Sequence, residues 1–147
     1  MSSRLFQEIR ENRGLAYSVY SSHSAHEDSG LFTIYIGTAP QLTAEVLKVT
    51  YDVLEELTNQ GITDTELHKG KEQLKGSLLL GLESTNSMMN RIGRAELMVG
   101  EYTEIETMIE RIEEVSLENM KSLALEMFSQ GFATSLVGPT DESLKTV

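Results

Sequence analysis

Apolar and polar positions along this chain follow two periods in turn. Leu5, Phe6 and Ile9 recur at helical spacing; Leu15, Tyr17 and Val19 then alternate with Ala16, Ser18 and Tyr20 at strand spacing. Gly14 lies at the joint, where a helix stops, because glycine takes φ > 0 at little steric cost. Ser2 or Ser3 can cap the helix start, since a serine oxygen accepts from a free backbone N–H of the first turn. The first strand runs from about Leu15 into His23, and the second over residues 30–37. The polar turn formers Ser24-Ala25-His26-Glu27-Asp28-Ser29 join them, which predicts an antiparallel hairpin. Phe32, Ile34 and Ile36 then face helices, with Leu31, Thr33 and Tyr35 on the other side. Both faces carry apolar residues, so each needs a cover, and one covering layer is expected to lie outside this chain.

Helical periods follow. Thr38-Ala39-Pro40 ends the strand and opens a helix with proline in its first turn. Val46, Val49, Val53, Leu54 and Leu57 form its apolar stripe, and Asn59-Gln60-Gly61 closes it. Thr63 and Glu66 read as a capping box for the next helix, whose inner face is Leu67, Leu74, Leu78 and Leu82. Gly70, Gly76 and Gly81 inside that helix point to close packing or a bend. The pattern breaks at Glu83-Ser84-Thr85-Asn86-Ser87 and resumes through Met88, Met89, Ile92, Ala95 and Met98, up to Gly100. Thr103 and Glu106 read as a second capping box, before Ile105, Ile109 and Ile112. Ser116 caps a last helix carrying Leu117, Met120, Leu123, Leu125 and Met127, stopped by Gly131. Residues 132–138 predict a closing strand, and residues 139–147 a solvated tail or the start of another segment. The layout is α+β, a largely antiparallel sheet under a layer of helices.

Size and charge narrow the function. At 147 residues the chain is expected to be a single domain, residues 1–147, long enough to bury a core without staples. It has no cysteine, which excludes disulfides and thiolate metal sites and suits a reducing, cytoplasmic setting. No stretch reaches the roughly 20 apolar residues of a membrane span, and Met1-Ser2-Ser3-Arg4 opens no signal peptide. A formal charge of −11 argues against a nucleic-acid surface and permits attraction of basic peptides. The same charge serves plain solubility.

Few residues invite chemistry. His23, His26, Glu27 and Asp28 look like a scrambled metalloprotease motif, but the histidines are three apart, so on a strand they point to opposite faces. Exposed turn residues are the default there, and His68 is read as a surface residue. Glu55-Glu56 and Glu113-Glu114 read as solvated helix faces, and Met88, Met89, Met98, Met120 and Met127 as core filler. The serines and threonines lack a base, and no phosphate-binding glycine loop is present. Arg10, on the last helical turn, comes near Tyr17 on the outgoing strand. Such a pair can donate hydrogen bonds to a carbonyl or a developing oxyanion. Spacing alone leaves the duller reading open: a cation suits a helix C-terminus in any protein, and mid-strand tyrosines often only pack.

The stretch from Ser2 to Val19, with Arg10 and Tyr17 seven residues apart, resembles a signature of the pitrilysin/insulinase family of zinc peptidases. That family carries an inverted H-x-x-E-H motif and includes mitochondrial processing peptidase. The resemblance continues through Gly37-Thr38-Ala39-Pro40 and from Glu83-Ser84-Thr85 to Glu96-Leu97, and lies nearest the bacterial branch. It implies that this chain is the C-terminal half of the subunit, an incomplete copy of the family's αβ domain and a fragment of a longer chain. It implies that Arg10 and Tyr17 reach over to a zinc site held by the absent N-terminal half and bind substrate main chain there. The full-length protein would then be a zinc endopeptidase acting on peptides or presequences, and this chain alone would bind no zinc and be inactive. The implied partners are the zinc-binding half, in the same chain or a second subunit, a peptide substrate, and a further copy in a homo-oligomer, with neither nucleic acid nor membrane. No H-x-x-E-H stands in this chain. That suits a C-terminal half, and it equally suits a noncatalytic scaffold subunit of the same family. A free-standing α+β binding domain is a third reading, and would expose no large apolar face.

Overall fold

The computed structural model describes residues 3–26 and 28–139, the Val99 side chain excepted. Ser2 as alternative cap, the Glu27 carboxylate and the tail beyond Pro139 lie outside the described residues. A π-helix, Phe6–Glu11, leads into strands β1 (Ala16–Ala25) and β2 (Gly30–Thr38) and a 3₁₀ turn, Pro40–Leu42. Five α-helices follow: α1 (Thr43–Gln60), α2 (Asp64–Leu82), α3 (Thr85–Val99), α4 (Ile105–Glu114) and α5 (Leu117–Phe128). The strands pair as one two-stranded antiparallel sheet, with Ser18 beside Gly37 and Tyr20 stacked on Tyr35. The class is α+β. By contact the chain divides into two compact units.

The first unit comprises Met1–Ser24, Gly30–Gln60 and Ala124–Val147. Ser3 caps its opening helix, its Oγ accepting from the Phe6 N–H at 3.3 Å. The helix then widens, and the Asn12 N–H donates five residues back to the Gln7 carbonyl at 2.8 Å. Gly14 turns the chain at φ +62°, and an added Cβ there would meet nothing within 4 Å. The backbone angle, rather than lack of room, is what glycine answers at this position. Ile9, Leu15, Ala16 and Val19 pack with Val46, Val49 and Val53 of α1, joined by Leu5, Ile36 and Leu42. Ile9 is fully buried, and such burial stabilises by about 1.5–3 kcal/mol. Val19 and Ile36 face the helix, but the expected alternation fails at the start of β1: Ala16 joins the same core, while Tyr17, expected on the side of Leu15 and Val19, is exposed. The opposite sheet face leaves Tyr20, Leu31 and Tyr35 exposed.

The expected closing strand over residues 132–138 is not a strand. Phe132 packs on Tyr51 and Phe128, the Tyr51 and Thr134 hydroxyls share a hydrogen bond at 3.0 Å, and Val137 is fully exposed. Alternation shows strand tendency, but a strand also needs a neighbouring edge, and this segment meets a helix instead.

The second unit comprises Ala25–Ser29 and Gly61–Leu123. The Thr63–Glu66 capping box forms in both directions: the Glu66 N–H donates to Thr63 Oγ1 and the Thr63 N–H to Glu66 Oε2. Ser84 caps α3, and the Ser116 and Asn119 backbone N–H groups each bond the other's side chain at the start of α5. The second expected capping box does not form, because α4 starts one residue late with Glu104 as its cap. The Thr103 carbonyl accepts from Arg91 Nη2 at 2.7 Å, while that of Glu104 accepts the first bond, from the Met108 N–H at 3.1 Å. On α2 the inner stripe also differs: Leu67, Leu78 and Leu82 are half-buried while Leu74 is exposed, and Lys71 and Lys75 lie on the stripe. Gly70, Gly76 and Gly81 have open space around them, so they serve no close approach within this unit. Met89 and Met98, expected as core filler, are exposed; Met88, Met120 and Met127 are half-buried. Among the described residues no helix is long and apolar enough to cross a membrane.

Candidate functional site

The two residues singled out by the helix–strand joint do come together. Arg10 stands on the last turn of the π-helix; Gly14 then reverses the chain, and the Leu15 N–H donates back to the Ile9 carbonyl at 2.8 Å. That bond and the burial of Ile9, Leu15 and Ala16 fix the angle at which β1 leaves. Tyr17 is consequently carried beside the helix end. The Arg10 guanidinium carbon lies 5.5 Å from the Tyr17 ring centroid and 5.0 Å from that of Phe6. Tyr17 is 86% exposed although its strand neighbours Ala16 and Val19 are buried. An exposed phenol so close to core positions is uncommon for a packing residue, and its hydroxyl is open to a ligand. Arg10 Nε is 3.9 Å from Glu11 Oε1, a half-exposed pair of little energetic weight.

Beside Tyr17 runs an open groove of about 510 Å³ along Gly14–Ser18 and Gly37–Ala39, walled by Tyr35 and Leu42. Two of its lining residues are tied together, Thr38 donating from Oγ1 to the Leu15 carbonyl at 2.6 Å. Gly37-Thr38-Ala39 thus lines the same place as Tyr17. Chemically the site offers two kinds of donor, a guanidinium fork and a phenol, next to a shallow, largely apolar channel.

The histidine segment makes no comparable site. The His26 N–H donates to the Ser29 carbonyl at 2.8 Å and Ser29 Oγ to Asp28 at 3.1 Å, which describes a turn. His68 is exposed on α2. Among the described residues no three His, Cys, Asp or Glu side chains converge to hold a metal ion. The carboxylate pairs read as solvated faces are exposed, as expected; Glu113 in addition accepts from Lys75, and Lys71 Nζ donates to its backbone carbonyl at 2.7 Å. The hydrogen bond from Lys75 holds the Glu113 carboxyl below the usual carboxylate range, and that bond with a second to Glu72 raises Lys75. This is a tie between α2 and α4, not a reaction centre. The residue that sequence reasoning passed over is Phe6, taken only as part of an apolar stripe. Its spacing four before Arg10 was the available signal.

A sequence profile described as the peptidase M16 inactive domain matches residues 1–74, just over half of the chain. The chain belongs to the peptidase M16 family. An uncharacterized zinc protease of Bacillus subtilis is 46% identical over 140 residues, covering 95% of this chain and 34% of that protein. One from Streptomyces coelicolor is 45% identical over 139 residues, again covering 95% of this chain and 30% of the relative. The M16 chain thus spans about a third of the length of the curated relatives it matches. In structure it is similar to a peptidase M16 inactive domain from Pseudomonas fluorescens, with TM-score 0.74 and 28% identity over 84% of this chain and 29% of that one. The relatives' names point to zinc, but this M16 chain's described residues offer no ligand set that fits one.

Proposed function

We propose that this M16 chain is the substrate-binding, zinc-free half of a metalloendopeptidase. In this reading a zinc-binding half, in the same longer chain or in a second subunit, supplies the metal that activates water. The observation that carries the proposal is the exposed Tyr17 phenol beside the Arg10 guanidinium, 5.5 Å from ring to cation, at the mouth of the Gly37–Ala39 groove. Tyr17 donates to the scissile carbonyl and the oxyanion that develops from it. Arg10 holds the neighbouring main chain through its fork of N–H donors. An extended peptide suits the groove, and the net charge of −11 favours basic ones.

The test is Tyr17→Phe in the full-length protein, assayed on a peptide substrate with zinc content measured in parallel. Loss of one oxyanion donor should lower kcat by more than about tenfold with zinc content unchanged. Unchanged turnover would rule out the donor role. If the full-length protein itself has no peptidase activity, the noncatalytic scaffold reading takes its place.

A further inference from the structure

Arg10 has two aromatic neighbours, and one of them has no other evident task. The π-helix gives Leu5 and Ile9 to the apolar core with Val19, Val46, Val49 and Val53; Phe6 is outside that cluster. Its ring centroid instead lies 5.0 Å from the Arg10 guanidinium carbon, closer than the 5.5 Å of Tyr17. Both rings come from elements whose backbones are pinned, Phe6 by the Ser3 cap and Tyr17 by the bond from Leu15 to Ile9. A long, half-exposed arginine samples many rotamers when nothing restrains it, and a ring within about 6 Å of the cation restrains it. The segment that brings the two together is a π-helix, a conformation rare elsewhere and often found at functional sites.

We infer that Phe6 is the positioning residue of the pair: its ring holds the Arg10 guanidinium against the Tyr17 ring, so that both donors meet the same stretch of peptide. The inference rests on the reading of Arg10 and Tyr17 as substrate-binding groups. Phe6 acts through Arg10 and touches no substrate.

The test uses the full-length protein and steady-state peptide hydrolysis. Phe6→Leu and Phe6→Met both remove the ring and keep apolar bulk, and Phe6→Tyr keeps the ring. Each is made alone and in an Arg10→Ala background, with thermal unfolding as a check on folding. Loss of one cation–π contact should raise KM about two- to fivefold with kcat little changed. Phe6→Tyr should restore the wild-type value. In the Arg10→Ala background the same substitutions should have no further effect, because the group they act through is gone. An undiminished loss in that background, or wild-type kinetics for both Leu and Met variants, would overturn the inference. Arg10→Ala and Tyr17→Phe, measured alone, separate the two levels. If both leave hydrolysis unchanged, the reading of the site fails and the inference with it. If they impair hydrolysis and the Phe6 variants do not, the inference alone fails.

Discussion

The two compact units are held together by different means. In the first, the π-helix, the hairpin and α1 bury Ile9, Leu15, Ala16, Val19, Val46, Val49, Val53 and Leu54. In the second, α2 and α4 bury no side chain fully, and the inner stripe of α2 carries Lys71 and Lys75. Those lysines keep their stems against the helices and tie their heads to Glu113. Arg91 does similar work, donating to the Tyr102 hydroxyl, the Thr103 carbonyl and the Met108 sulfur. Leu74, Leu79, Leu80, Met89 and Leu97 meanwhile stand exposed. Where apolar residues fill the interior, geometry is set by volume; where they do not, it is set by caps and charge-assisted bonds. The candidate site is built on the first kind of scaffold, which suits a pair of donors that must be held in place.

The sharpest way to break this contrast is truncation. Ile9→Ala should destabilise the first unit by about 2–5 kcal/mol, whereas Leu80→Ala in the second should stay within about 0.5 kcal/mol. Denaturant unfolding of both variants measures the difference, and equal losses would remove the distinction. Next in size is the cap. Thr63→Ala deletes both arms of the α2 capping box and should cost about 1 kcal/mol, read as faster hydrogen exchange confined to the first turns of α2. If exchange rises equally in α1, the units are not independent.

The smallest expected effect is the most specific. Glu113 has a lowered carboxyl pKa and Lys75 a raised ammonium pKa, each mainly because of their mutual hydrogen bond. A lowered acid stabilises the fold above its unfolded value, near 4.5, and loses that contribution as pH falls through the folded value. A raised base contributes below 10.5 and loses it as pH rises through its folded value. The stability gap between wild type and Glu113→Gln should therefore be flat near neutrality and shrink at both extremes, beginning below about pH 4.5. A gap independent of pH would show that the tie is not ionic.

What the sequence determined by itself was local. The Thr63–Glu66 box, the Ser116 cap, the Gly14 stop and the hairpin depend on neighbours within a few residues, where spacing dictates geometry. The approach of Arg10 to Tyr17 was legible for the same reason, since only a short turn separates them, and the family signature drew attention to it. Tertiary structure decided the rest. Residues 132–138 have strand alternation but lie against Tyr51, because pairing needs an edge that periodicity does not supply. Thr103 has the right partner three residues on, yet it lies before the helix, where its carbonyl accepts from Arg91 of α3, and Glu104 is the cap. Lys71 and Lys75 lie on the inner stripe of α2, which periodicity assigns to leucines, because Glu113 of α4 stands within reach of both. Phe6 reads as core until Ile9 and Leu5 fill that place and leave its ring to Arg10. In each case the residue's role was set by a competitor or partner distant in sequence, and only the fold brings that partner within bonding distance.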